Sequence, residues 1–257
     1  MKYLVAIPCM DMMHTQFVCS LLSMPLFEQT EVAFGANSLI YDTRNQFAEK
    51  AIAGGFDRVL WFDSDMTFGK DFAQRLAARL DEGYEFVTGL YMTRKNPIRP
   101  TIFKGFTIDP PTATFYDDYP RNSFFEIAGC GFGGVMMTVD LIKRVRDEFG
   151  MPFSPILGLG EDLSFCCRVG NIGAKMYCDS SLKMGHVGFK EITEETYLVR
   201  LMRLYGEGGM KSDSIECNEV TEETYLERIK YEQENKNKNA EHGEGRAPAG
   251  SERRMAD

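Results

Sequence analysis

The chain has no apolar run that approaches the ~20 residues a membrane-spanning helix requires, so no transmembrane segment is expected. It also has no Cys-x-x-Cys pair. Its cysteines, Cys9, Cys19, Cys130, Cys166, Cys167, Cys178 and Cys217, are odd in number. That count suits reduced thiols in a cytoplasmic location better than a disulfide framework, and the adjacent Cys166 and Cys167 read as packing residues. Basic charge is in deficit: 29 Lys and Arg against 38 Asp and Glu give a net charge of −9. Non-specific binding to nucleic acid, which needs a basic surface, is therefore unsupported; a local basic patch and a nucleic-acid acceptor stay open. No GxxxxGK[ST] sequence is present, so a P-loop is not supported. The opening segment Met1–Pro8 lacks the length and the small-residue cleavage site of a signal peptide and reads as a buried strand.

What is present is enough for a substantial core, with 44% hydrophobic and 12% aromatic residues in 257. Through residue 90, strand and helix signals alternate. Strands are expected at Tyr3–Ile7, Glu31–Phe34, Arg58–Phe62 and Glu85–Leu90. Helices are expected over 14–23, over Asp42–Ile52 with Phe47, Ala48, Ala51 and Ile52 on one stripe, and over 71–82 with Phe72, Leu76 and Leu80 aligned. Gly54-Gly55 stops the second helix. Such alternation argues for an α/β fold, a parallel sheet covered by helices.

From residue 91 the character changes. Pro97, Pro100, Pro110, Pro111 and Pro120 punctuate short aromatic segments such as Thr101–Phe106 and Thr114–Tyr116, expected as antiparallel strands and loops. Strands at Phe124–Ala128 and Val135–Val139 flank a glycine cluster, followed by helices over Leu141–Phe149 and near 161–168. Strands at Ala174–Cys178 and Leu182–Gly188 close a domain spanning 1–190. Two near-identical segments then follow, Glu191-Ile192-Thr193-Glu194-Glu195-Thr196-Tyr197-Leu198 and Glu219-Val220-Thr221-Glu222-Glu223-Thr224-Tyr225-Leu226. Thr as N-cap and glutamates in the first turn make each a helix start, so 191–231 reads as a peripheral helical extension. Residues 232–257 have no aromatic and almost no apolar residue and are expected to be a disordered tail.

Four clusters carry the candidate chemistry. In the first, the hydrophobic run Val59-Leu60-Trp61-Phe62 delivers Asp63-Ser64-Asp65 to a strand's carboxyl end, the edge at which open α/β sheets bind ligands. Residues i and i+2 of an extended chain share a side, so both carboxylates can face one divalent cation; the same turn also suits a plain loop cap. The second is Gly129-Cys130-Gly131-Phe132-Gly133-Gly134, whose glycines permit close backbone approach to a ligand or form a flexible hairpin. The third, Glu161-Asp162 after Gly158-Leu159-Gly160, places acids where a helix dipole favours them and where a carboxylate could accept a proton. The fourth, Met184-Gly185-His186-Val187-Gly188, offers a histidine as metal ligand or as structural residue. His14 and His242 have no comparable setting.

In this order the clusters resemble the GT-A glycosyltransferases, in particular family 2-like members of bacteria and bacteriophages, over roughly residues 3–190. The shared pattern is a DxD turn, a glycine-rich loop, an acidic pair and a later histidine, with Tyr41-Asp42-Thr43-Arg44-Asn45 similar to the helix start common in these enzymes. The resemblance implies a GT-A-like, Rossmann-type mixed, mostly parallel sheet flanked by helices, and a nucleotide-diphosphate sugar donor, a UDP-sugar first, held through Mn²⁺ or Mg²⁺, with an acceptor hydroxyl on a glycan, a protein or another molecule. It implies Asp65 and His186 as metal ligands, with Asp63 on the metal or the ribose. Pro8 and Arg44 would lie near the nucleotide, and the loop through Gly133 and Gly134 would border the sugars. Asp162 would be the general base of an inverting transfer, with Glu161 positioning or binding the acceptor. The basic residues Arg94, Lys95, Arg99 and Arg121 fall where acceptor loops vary; they could meet a diphosphate or an anionic acceptor, or simply be solvated. A nucleotidyltransferase and a non-catalytic nucleotide-sugar or glycan-binding module remain alternatives. The former lacks its glycine-rich basic loop after the first strand.

Overall fold

In the computed structural model, residues 1–9, 12–35, 39–94, 96–108, 110–156, 158–188 and 193–199 are described. The first part follows the alternation: β1 (Tyr3–Pro8), α1 (Thr15–Ser23), β2 (Thr30–Gly35), α2 (Ile40–Ala53), β3 (Arg58–Phe62), the short β4 (Met66–Thr67), α3 (Phe72–Asp81) and β5 (Phe86–Leu90). After these come β6 (Ile102–Ile108), β7 (Pro111–Phe115), β8 (Phe124–Ile127), β9 (Gly129–Cys130), β10 (Gly134–Thr138), α4 (Val139–Phe149), α5 (Glu161–Asn171), β11 (Met176–Lys183) and β12 (Gly185–His186).

Every residue of β1, β3 and β5 is buried, because helices cover both faces of the sheet and leave no solvent side for polar alternation. Leu4, Ala6, Val59 and Trp61 point into one core with Ala48, Ala51, Ile142, Val145 and Phe165 of α2, α4 and α5. Their strand neighbours Val5, Ile7, Leu60 and Phe62 point the other way, onto Phe17, Phe72, Leu76 and Leu80 of α1 and α3.

The seven strands of the main sheet run in the order β2-β1-β3-β10-β5-β11-β8. Strands β2, β1 and β3 are parallel, as are β5 and β11, whereas β10 enters antiparallel between β3 and β5, and β8 is antiparallel at the edge. Because β10 runs the opposite way, its first residue, Gly134, lies opposite Phe62, the last residue of β3. The glycine cluster and Asp63-Ser64-Asp65 therefore meet on one edge. Antiparallel β7, β6 and β9 form a separate small sheet, as the proline-punctuated segment suggested.

Two expectations need correction. The strands expected at Ala174–Cys178 and Leu182–Gly188 are largely one, β11, irregular between Asp179 and Lys183. The polar run Asp179-Ser180-Ser181, which separates the two expected strands, has each side chain satisfied in place. Arg79 pairs with Asp179, Ser180 Oγ donates to Pro120 O at 2.6 Å, and Arg75 Nη2 donates to Ser181 Oγ at 2.6 Å. Likewise Val139 opens α4 instead of closing a strand, since Thr138 caps that helix by accepting from Leu141 N at 3.2 Å. Of the expected extension 191–231, residues 194–199 are helical and Glu194 accepts from Tyr119 Oη at 2.7 Å. Residues 200–231 and 232–257 lie outside the described residues. No helix among the described residues is long and apolar enough to cross a membrane.

Candidate functional site

The candidate residues gather at the carboxyl ends of β1, β3 and β5. Pro8 ends β1 opposite Gly35. One strand further, Asp63 leaves β3 and accepts a hydrogen bond from Arg44 Nη2 at 2.7 Å. Arg44 arises from the first turns of α2 and is 1% exposed; its Nε also lies 3.6 Å from Glu161 Oε1. Its guanidinium stands 5.1 Å from the Phe132 ring centre and 5.9 Å from that of Trp61, an arrangement a planar delocalised cation tolerates. Arg44 thus ties the first acid of the DxD turn to the first acid of the Glu161-Asp162 pair, with its charge directed into the protein.

Asp65 has different company. Its Oδ2 lies 3.0 Å from Arg94 Nη1 and 3.5 Å from His186 Nε2, while its buried Oδ1 has no hydrogen-bond partner among the described residues. Burial alone would raise the Asp65 carboxyl, but His186, Arg94 and His14 together hold it below the usual carboxylate range. His186 reaches this position because β12 pairs with β4, His186 opposite Met66, and Val187 N donates to Asp65 O at 2.7 Å. Its Nδ1 sits 2.9 Å from Met92 O. A carbonyl only accepts, so Nδ1 is the donor to Met92 O, and Nε2 is the nitrogen that faces Asp65.

Asp162, in the first turn of α5, is half-buried, and its Oδ1 accepts from Leu163 N at 2.8 Å. Desolvation first, and then the neighbouring Glu161 charge, push its carboxyl up to about 6. A carboxylate that titrates this close to neutrality can take a proton and return it.

The glycines are explained by side chains packed against them. A Cβ on Gly131 would fall 2.1 Å from Tyr91 Oη, one on Gly133 2.8 Å from Tyr91 Cζ, and one on Gly134 2.4 Å from Met184 Cε. Tyr91 is a site residue that the sequence reading missed. Gly133 N donates to its hydroxyl at 3.2 Å, its ring meets His186 edge-on at 5.4 Å, and burial with the charges of Asp63 and Asp162 pushes its hydroxyl well up. The available signal was positional: Tyr91 follows β5 as Asp63 follows β3. His14, which the sequence reading set aside, also adjoins the turn, since its backbone N donates to Ser64 O at 3.2 Å.

Asp63, Asp65, Glu161, Asp162, Arg44, His186 and the glycine loop therefore share one edge. Among the described residues, however, no group of three or more His, Cys, Asp or Glu side chains is placed to hold a metal ion. Of the three expected ligands, Asp65 and His186 adjoin, whereas Asp63 is turned to Arg44. Of the basic loop residues, Arg94 joins the site, whereas Arg99 pairs with Asp117; Lys95 lies outside the described residues.

The fold is GT-A-like: a mixed central sheet flanked by helices, with the Asp63-Ser64-Asp65 turn at the carboxyl end of β3. No known family profile matches the sequence, and no curated protein matches it. Solved structures do. A197 from STIV is similar with a TM-score of 0.56 at 16% identity, over 86% of this chain and 100% of that one. GalNAc-T7, solved with UDP, GalNAc and Mn²⁺, is similar with a TM-score of 0.53 at 10% identity, over 80% of this chain. The present chain spans 48% of the GalNAc-T7 chain.

Proposed function

We propose that this protein is a metal-dependent glycosyltransferase that moves a sugar from a nucleotide-diphosphate donor, a UDP-sugar first, to an acceptor hydroxyl with inversion. The observation that carries the reading is the Asp65–His186 pair, with a buried carboxylate oxygen unpartnered among the described residues, at the ligand edge of a GT-A-like sheet. Hard divalent cations often bind through one or two carboxylates and complete their shell with water and substrate phosphates. Asp65 and His186 fit that mode, and the Nδ1–H bond to Met92 O supplies the outer support that ligating histidines have. They do not form a prebuilt cage. Mn²⁺ or Mg²⁺, when bound, would neutralise charge on the departing diphosphate.

The remaining roles fall to the chain's own groups. Asp162, raised to about 6, takes the proton of the acceptor hydroxyl as that oxygen attacks the anomeric carbon. Arg44 holds Asp63 and Glu161 in place from within, leaving Asp63 an edge from which to meet the ribose. The test is thermal: UDP with Mn²⁺ should raise the melting temperature, and Asp65→Ala should abolish the shift. A wild-type protein whose melting is indifferent to every nucleoside diphosphate with metal would end this reading.

A further inference from the structure

Among the described residues Arg94 is the cation nearest to Asp65, and its anchoring is shallow. Its side chain is 43% exposed, and Nη1 lies 3.0 Å from Asp65 Oδ2 while donating to Val187 O at 2.9 Å. The oxygen it covers is the one that His186 Nε2 approaches, and the other oxygen of that carboxylate is buried without a partner among the described residues. A divalent cation bound to Asp65 and His186 would share an oxygen with a guanidinium, and two like charges around one oxygen repel strongly at low dielectric. The two can coexist only if an anion comes between them, and a diphosphate matches the fork of donors that arginine presents.

We propose that Arg94 is an exchangeable counter-ion. It neutralises Asp65 before ligands arrive, then passes to the donor diphosphate as the divalent cation takes Asp65. This rests on the glycosyltransferase reading and adds a consequence to it. Cation alone competes with Arg94, whereas cation and nucleoside diphosphate help one another, so Arg94 strengthens the coupling between the two ligands.

The experiment measures Mn²⁺ binding alone, and UDP binding at saturating Mn²⁺, by calorimetry on the full chain and on Arg94→Ala and Arg94→Lys. In Arg94→Ala, Mn²⁺ alone should bind about tenfold tighter and UDP with Mn²⁺ about tenfold weaker. Arg94→Lys, which keeps charge but loses the fork, should fall between. Opposite signs are the mark of the exchange, because an arginine that merely clamps two loops would weaken both ligands when removed. If both affinities in Arg94→Ala stay unchanged or move the same way, the exchange is wrong and the glycosyltransferase reading survives. If the wild-type chain binds neither Mn²⁺ nor UDP, that reading fails and the exchange fails with it.

Discussion

Asp63 and Asp65 are separated by one residue, yet each is held by an arginine of a different kind. On the inner wall of the site, Arg44 is 1% exposed, packed against Trp61 and Phe132, and shared by Asp63 and Glu161. On the outer wall, Arg94 is half-exposed and grips Asp65 beside His186. A buried charge cannot leave its partners without stranding them at low dielectric, whereas a half-exposed one exchanges a carboxylate for water or phosphate at little cost. The inner wall is a buried scaffold, and the outer wall is the side that the proposed exchange would rearrange.

The largest expected effect is at Asp162, on the inner wall. Asp162→Asn should lower the transfer rate by about 10²–10⁴-fold, and the wild-type rate should fall as the pH drops through about 6. Stability should move the other way. Since the folded carboxyl is raised to about 6 from its ordinary value of 3.8, the folded state binds the proton more tightly than the unfolded chain. Ionisation therefore costs stability, with the full penalty above pH 6 and none below the unfolded value. Asp162→Asn should gain about 1–3 kcal/mol at neutral pH in chemical denaturation, and the gain should vanish in acid. An inactive variant of unchanged stability at every pH would show that Asp162 does not carry a burial penalty.

Next in size is Arg44→Met, which keeps the stem against Trp61 and Phe132 but strands Asp63 and Glu161. It should cost about 3 kcal/mol, the low end for breaking a buried pair, because both acids keep some water. Arg94→Ala should cost less than about 1 kcal/mol, and equal losses at the two arginines would erase the distinction between the walls. Gly131→Ala should cost about 2 kcal/mol through the clash with Tyr91 Oη. Tyr91→Phe in the same chain should recover part of it, and strict additivity of the two changes would show that the glycine is required for another reason.

Much of the scaffold was legible because it is local. Arg58–Phe62 reads to the residue as a strand, since an uninterrupted apolar run bounded by charge has few other uses. The start of α2 was less clear: Leu39 precedes it with no side-chain cap, so no signal marks Ile40 as its first residue. The Glu161-Asp162 turn was found, but that one acid would pair with Arg44 and the other face Tyr91 depends on contacts between distant segments. Tyr91 itself reads as one more aromatic at the end of a strand.

By itself the sequence determined the alternation of strands and helices through residue 90, the carboxylates at strand and helix ends, and the order of the four clusters, because periodicity and breakers act over a few residues. Only the tertiary structure decided which arginine faces which aspartate, that the glycines are forced by Tyr91 and Met184, and that His186 reaches Asp65. Those outcomes depend on the insertion of antiparallel β10 between β3 and β5 and on the pairing of β12 with β4. Charge pairing depends on distances of a few ångströms between segments far apart in the chain, and strand order sets those distances.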